Sequence, residues 1–364
     1  MKSIEVKKLS LTQVEAMEEK WNKCLHESGG NPLFLDWYWQ LTWWETWNQR
    51  LKLSLLVIGI FENNELIGIA PMYSYSYKKL RFFNIKACEF IGDHSRNNDS
   101  IRSEYLNFIL PKNRYTEILP YLFEFLKHEG IDEVCLKDVP ESSDTVEFIS
   151  AKFSDIQKRT DIGIKLSVNG NFSEYKKLLG KNTRLKLFNR RKLLSLPEVE
   201  HCKNEKDLID FFHYLNTFHV SRWGRDCYSI HSLDFHKKIA NYYLRKNELN
   251  ATLLKVNSKV VAVSYDICRE EVRYNIQLGF EEFINNKISF GTLMLGYSVE
   301  EAFNNLQISQ YDFLAGGGKH TFYKERFKGN KIYFSTVNIP LTMKVKLLLK
   351  LITGLKKSKR FIFK

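Results

Sequence analysis

The residues best placed to do chemistry lie between Val272 and Phe327. A strand over residues 272–279 leads into Asn285-Asn286-Lys287-Ile288-Ser289-Phe290-Gly291, which opens a helix. Unpaired amides at a helix start can bind a pyrophosphate, and a glycine at 291 allows close backbone approach. Ser289 as an ordinary N-cap explains the same residues without a ligand. A second strand, Tyr311-Asp312-Phe313-Leu314, ends in Ala315-Gly316-Gly317-Gly318. Three glycines after a buried strand imply a tight turn or close contact with a ligand. Tyr323-Lys324-Glu325-Arg326-Phe327 then places a phenol, cations and an aromatic just behind. Asp312 is costly to bury without a partner, and an ion pair with Lys324 accounts for it as well as catalysis does.

Other chemistries lack their residues. There is no G-x-S-x-G, H-E-x-x-H, G-x-x-x-x-G-K-[ST] or strand-linked G-x-G-x-x-G. His213 and His219 are six apart, on different faces of a helix, so no metal site is expected. The cysteines (Cys24, Cys88, Cys135, Cys202, Cys227, Cys268) form no C-x-x-C pair and read as reduced, mostly buried thiols of a cytoplasmic protein.

Positive charge is concentrated. The net charge is +13, yet residues 175–194 and 342–364 each carry eight cations and no acid. The first segment reads as a helix with Leu178, Leu179, Leu185, Phe188 and Leu193 on its buried side, its cations free for phosphates or a solvated face. The second reads as an amphipathic helix, with Lys346, Lys350, Thr353 and Lys357 on one face. Val345, Leu348, Leu349, Ile352 and Leu355 lie towards the other. It suits an anionic membrane surface, or docking on its own domain with a basic end. The first residues carry Lys2, Glu5, Lys7 and Lys8 and no apolar run, so no signal peptide is expected. No apolar stretch reaches the roughly 20 residues of a spanning helix. The expectation is a cytoplasmic protein, peripheral at most at the inner face of the membrane.

The elements that position these residues repeat. Residues 53–61, the turn Glu62-Asn63-Asn64 and residues 65–70 read as a hairpin; so do residues 251–256, Asn257-Ser258 and residues 259–264. After the first come a strand at 105–110, a helix at 115–128 and a strand at 132–138. After the second come a strand at 272–279, a helix at 291–304 and a strand at 310–315. A strand-helix-strand unit demands a crossover and parallel neighbours. The fold class is α+β (mixed α/β): two tandem domains, each a mixed sheet flanked by helices, over 1–167 and 168–341, with a basic helix at 342–364. With 44% apolar and 14% aromatic residues in 364, both halves can bury a core.

Two halves, a strand ending Tyr311-Asp312-Phe313-Leu314, glycines, then Tyr323-Lys324 resemble the tandem-domain acyltransferases of the GNAT superfamily, in the CelD-like and Fem-like branch. Leu66-Ile67-Gly68-Ile69-Ala70-Pro71-Met72 and Ser103-Glu104-Tyr105-Leu106-Asn107-Phe108 match in the first half. Asn182-Thr183-Arg184, Asn189-Arg190-Arg191-Lys192-Leu193 and His219…Arg222-Trp223 match in the second. The resemblance implies direct attack of an amine on an acyl-coenzyme A thioester, in cell-envelope or exopolysaccharide synthesis. Backbone donors for the oxyanion are then expected between Asn275 and Phe280, with Asp312 or His219 as base and Tyr323 protonating the leaving thiolate. Gln277, Gly279, Ser289, Gly291 and Lys324 become candidates to hold the donor. Arg184, Arg190, Arg222, Tyr105 and Asp93, with His94 and Glu104, become candidates for the acceptor. Neither half carries the full pyrophosphate loop of ordinary GNAT enzymes. An aminoacyl-tRNA donor, or an inactive scaffold binding an anionic glycan or membrane, are the alternatives.

Overall fold

The computed structural model describes residues 4–96, 100–154, 156–282, 288–315 and 324–362, with backbone alone over 353–362. Two compact units emerge: residues 1–160 with 333–364, and residues 161–332. The chain runs β1 (Ile4–Lys8), α1 (Leu11–Glu15), α2 (Glu18–Ser28), α3 (Trp37–Trp47), β2 (Ser54–Leu55), β3 (Ile58–Glu62), β4 (Glu65–Ala70), β5 (Met72–Lys79) and β6 (Phe83–Phe90). Then come α4 (Tyr115–His128), β7 (Glu133–Pro140), α5 (Asp144–Lys152) and β8 (Gln157–Ser167), which leads into the second unit. That unit continues with α6 (Phe172–Leu178), α7 (Lys181–Leu187), a 3-10 turn (Asn189–Leu193), β9 (Pro197–His201), α8 (Glu205–Trp223) and α9 (Ile230–Arg245). It is completed by β10 (Leu249–Val256), β11 (Lys259–Arg269), β12 (Val272–Phe280), α10 (Phe290–Asn304) and β13 (Gln310–Ala315). β14 (Asn330–Pro340) returns the chain to the first unit, where α11 (Met343–Ile362) follows.

Both expected hairpins form, and each turn holds two left-handed residues, Asn63-Asn64 and Asn257-Ser258. That geometry matches strand twist and suits asparagine. In the second unit the strand order is β8-β13-β12-β11-β10-β9, antiparallel except where α10 carries β12 over to parallel β13. In the first unit β2, β5, β6 and β7 are neighbours, with α4 carrying β6 over to parallel β7. There the β3/β4 hairpin joins β1 in a separate small sheet. Pro71, which has no N–H to offer a ladder, separates β4 from β5.

Four expectations change. Residues 105–110 make only an isolated bridge, Ile109 to Ile69, and the strand before the first crossover helix is β6. The basic segment 175–194 is two short helices and a 3-10 turn, because Leu179 is extended and Gly180 begins α7. The unit boundary falls at 160/161 rather than 167/168, and residues 334–340 pair with β7 instead of closing the second domain. Finally, the apolar face of α11 is not free: Val345 and Leu348 pack on Ile85, beside Tyr77 and Leu349.

The second unit's core is centred on α10. Leu293 and Met294 meet Leu254, Val261 and Ala262 of β10 and β11; Leu295 and Val299 meet Ile164, Leu187 and Phe313. Gly296 lets α10 touch the end of α7, since a Cβ there would collide with the Leu187 carbonyl. This packing fixes α10, and with it the helix start that follows β12.

Candidate active site in the second unit

β12 and β13 pair only at Val272–Gln310, Arg273–Tyr311 and Tyr274–Asp312, although β12 runs on to Phe280. Beyond Tyr274 the two parallel strands part. On the other side of β12 the register with β11 shifts between Tyr265–Gln277 and Asp266–Asn275, leaving Ile276 as the extra residue of a β-bulge. Bulges re-aim a strand and are common beside active sites. The parted strands therefore leave backbone groups of residues 275–280 unclaimed by β13.

A buried polar cluster locks the strands just before they part. Arg273 Nε donates to Asp266 Oδ2 at 2.7 Å, and both side chains are almost wholly enclosed. Asn275 Nδ2 donates to Asp266 Oδ1 at 2.6 Å, the Ser264 hydroxyl to the same oxygen at 2.9 Å, and the Tyr311 hydroxyl to Oδ2 at 3.2 Å. Arg273 Nη1 also lies 3.1 Å from Glu301 of α10. Burial and Asp266 together hold the Tyr311 phenol protonated. Sequence reasoning singled out Tyr311 and Asn275 but missed Ser264, Asp266 and Arg273; the signal was polar alternation, Ser264/Asp266 and Arg273/Asn275, on adjacent strands of opposite charge.

At the far end of β12, α10 begins. Ser289 makes no side-chain cap; its hydroxyl lies 3.0 Å from that of Thr292. The amides of Phe290, Gly291 and Thr292 thus lack an acceptor among the described residues. The Phe280 ring covers Gly291, so this glycine accommodates an aromatic ring, not a ligand. Arg222 of α8 stacks on that ring at 4.7 Å and on Trp223 at 4.8 Å, with Glu282 2.8 Å from its Nε. α8 packs on β12 through Leu215, since a Cβ on Gly279 would lie 2.8 Å from it. Gly279 is therefore a packing glycine. One turn beyond Leu215 stands half-buried His219, whose Nδ1 donates to the Arg225 carbonyl at 3.0 Å. That bond leaves the Nε2 lone pair available to accept a proton.

Several expected roles are taken by the fold itself. Lys324 is buried and donates to three successive carbonyls, Phe313 (2.6 Å), Leu314 (2.9 Å) and Ala315 (3.2 Å), matching the three donors of an ammonium. It caps the end of β13 instead of holding a phosphate. Asp312 is fully enclosed: Oδ1 accepts from Leu314 N at 2.8 Å and Oδ2 lies 3.5 Å from Lys165. It supports the kink at Leu314, whose φ is +58° and where the register with β8 slips by one residue. Gln277 turns its amide to the Cys227 sulfur at 3.0 Å, and burial pushes that thiol up to about 12, so it is no nucleophile. Arg184 donates to the Lys177 (3.2 Å) and Leu179 (2.7 Å) carbonyls at the end of α6, a helix-end cap. Arg191 pairs with Glu300 and stacks on Tyr297, docking its segment on α10. Arg190 is half-exposed and has no acidic partner among the described residues. Tyr323, the glycines 316–318 and residues 285–287 lie outside the described residues.

The first unit repeats the parting strands but fills the place differently. β6 and β7 pair only at Ala87–Glu133, Cys88–Val134 and Glu89–Cys135. At that point Glu89, fully buried, accepts from the Tyr75 hydroxyl at 2.5 Å and the Ser95 amide at 2.9 Å. The Tyr73 hydroxyl lies within 2.9 Å of Glu89, the Asp93 carbonyl and His94 Nδ1. Burial pushes Asp93 up to about 6 despite its pairing with Lys137, and lowers His94. Tyr105, at φ +56°, sits edge-on to Phe334 and stacked on Phe34 instead of joining Asp93 and His94. Among the described residues no cluster of His, Cys, Asp or Glu could hold a metal.

Residues 184–328, inside the second unit, match the acetyltransferase (GNAT) domain family. No curated protein sequence matches the chain. Among solved structures, FemX shares the fold with a TM-score of 0.57 at 11% identity, over 91% of this chain and 96% of its own. A conserved protein of unknown function from Bacteroides thetaiotaomicron VPI-5482 gives 0.53 at 12%, over 93% and 100%. L-PGS from Bacillus licheniformis gives 0.51 at 10%, over 91% and 95%. At such identities the likeness is one of fold. With the domain match in the half whose strands part beside an open helix start, the chain is an acyltransferase resembling the Fem-like, tandem-domain branch of the GNAT superfamily.

Proposed function

We propose that the second unit transfers an acyl group from acyl-coenzyme A to an amino group of a cell-envelope or exopolysaccharide precursor. The observation that carries this reading is the parting of β12 from β13 after Tyr274, with the uncapped start of α10 at the end of the same strand. A thioester lying in that gap puts its carbonyl against strand amides and its diphosphate near the amides of residues 290–292. Arg222, stacked beside that helix start, faces the diphosphate once Glu282 yields it. In the reaction the amine nitrogen bonds to the carbonyl carbon, the C–S bond breaks, and the sulfur leaves with the electron pair. Amides of residues 275–280 donate to the oxyanion, and His219 Nε2 accepts the proton that the amine loses. Tyr323 supplies a proton to the thiolate. Asp312 and Lys324 are positioning residues for the β13 kink.

The test is release of free thiol from acetyl- and long-chain acyl-coenzyme A in the presence of amino-sugar acceptors. Saturable, acceptor-dependent release that falls about a hundredfold in His219→Ala supports the assignment. Equal rates in the variant overturn the base; no release with any thioester overturns the donor.

A second donor, an aminoacyl-tRNA, is favoured by one observation. Lys177, Lys181, Lys186, Arg190 and Lys192 carry no acidic partner among the described residues, so this stretch offers unspent positive charge. Binding of tRNA that weakens steeply with salt, and less steeply in Lys186→Gln/Arg190→Gln, supports that donor. Salt-independent binding removes it.

A further inference from the structure

Outside the second unit, a surface of the first joins exposed apolar side chains to unpaired cations. The β5/β6 hairpin ends in Leu80-Arg81-Phe82, and Phe82 is 86% exposed. Leu80 and Arg81 both adopt left-handed φ (52° and 67°), where bulky residues are strained and glycine or asparagine is usual. The sequence thus keeps large side chains at a tip that disfavours them. α11 packs on the same hairpin: Val345 and Leu348 cover Ile85, and Lys344 Nζ donates to the Asn84 carbonyl at 2.9 Å. Its opposite side carries Met343, Leu347 and Leu351, one turn apart in sequence and each more than half exposed. Lys346 and Lys350 flank this stripe, and Lys78 and Arg81 flank the hairpin tip. These four cations have no acidic partner among the described residues. The chain adds Lys356, Lys357, Lys359 and Arg360 before the end of the helix, with no acid.

We infer that the hairpin tip and the outer face of α11 together form a docking surface for an anionic lipid bilayer. Phe82, Leu80, Leu347 and Leu351 enter the acyl boundary, and the lysines and Arg81 meet lipid phosphates. Charge complementarity selects this occupant: an apolar stripe flanked by Lys78, Arg81, Lys346 and Lys350, none paired with an acid among the described residues, fits a negatively charged interface. A second copy of the same surface would bring like charges together. No described helix is long and apolar enough to span a membrane, so the attachment is to the surface.

The test is co-sedimentation of the full chain with phosphatidylcholine vesicles, with and without phosphatidylglycerol. Phosphatidylglycerol should raise partitioning about tenfold, and 1 M salt should remove the gain. The double variant Phe82→Ser/Leu347→Ser should lose about tenfold of the binding. Both sites are exposed, and an unchanged circular-dichroism melt checks the fold. Equal binding to neutral and anionic vesicles, or wild-type binding by a folded double variant, overturns the proposal. So does a dimer in sedimentation velocity that the same substitutions dissolve while vesicles bind neither form. No readout depends on turnover, so failure here leaves the acyltransferase reading standing.

Discussion

The two units part their parallel strands in the same way, after three paired residues, and then use the gap oppositely. In the first unit, a long segment separates the end of β6 at Phe90 from the start of α4 at Tyr115. The Asp93 carbonyl, the His94 ring and the Ser95 amide and hydroxyl of that segment fold back onto Tyr73, Glu89 and Tyr75. The start of α4, like that of α10, has no side-chain cap, and its Arg114 guanidinium spans Glu117 and Glu62. In the second unit, α10 begins ten residues after β12 ends, and its first amides are uncapped. The polar cluster there, around Asp266 and Arg273, lies before the parting and not at its mouth. The same topology thus yields a gap filled by the segment after β6 in the first unit and, among the described residues, one left unfilled in the second.

The largest expected effect breaks the second unit's lock. Arg273→Leu leaves Asp266 buried and unpaired, at a cost of about 3–5 kcal/mol. Urea unfolding followed by far-ultraviolet circular dichroism should show it as an early transition. Six of the seven tryptophans lie in the first unit, so intrinsic fluorescence should move far less. Coincident shifts in both signals would mean that the two units do not unfold separately. Next in size, His219→Ala should lower kcat about a hundredfold with little change in KM. His94→Ala, its counterpart in the filled gap, should leave kcat unchanged in the protein that remains folded.

Acid and base should separate the units in opposite directions. Burial holds His236 of α9 down at about 3, so the folded second unit refuses a proton that the unfolded chain takes near 6.5. Its contribution is complete above pH 6.5 and is lost as pH falls towards 3. Asp93 behaves inversely. With its carboxyl raised to about 6, the folded first unit holds a proton that the unfolded chain releases near 3.8. That contribution is complete below 3.8 and is lost as pH rises through about 6. His236→Phe and Asp93→Asn should each flatten one slope of midpoint against pH, in circular dichroism and fluorescence respectively. The smallest effect belongs to Arg184→Ala, which should cost about 0.3–1 kcal/mol by uncapping α6 while leaving the KM for acyl donor unchanged. A raised KM would return Arg184 to the substrate.

Much of this layout was legible in the sequence. Alternation and turn residues located both hairpins, α4 and β13, and the stretch 275–280 fell where the strands part. Long-range pairing was not legible. The final strand joins β7, nearly two hundred residues earlier, through a register that no local pattern encodes. Charged residues misled for a related reason. Lys324 and Arg184 have the composition of phosphate binders, yet unsatisfied carbonyls at a strand end and a helix end claimed them first. Asp312 does have an ion-pair partner, Lys165, which faces it from β8 and which no local pattern signals. The exposed stripe of α11 was hidden because residues expected to face lipid cover Ile85 instead.

Hydrogen exchange with and without acetyl-coenzyme A tests the central claim most directly. Donor binding in the open gap should slow exchange at residues 275–280 and 290–292, and leave residues 87–96 and 115–118 of the first unit unchanged. Protection that appears instead in the first unit, or protection equal in both, would contradict the assignment of the donor to the second.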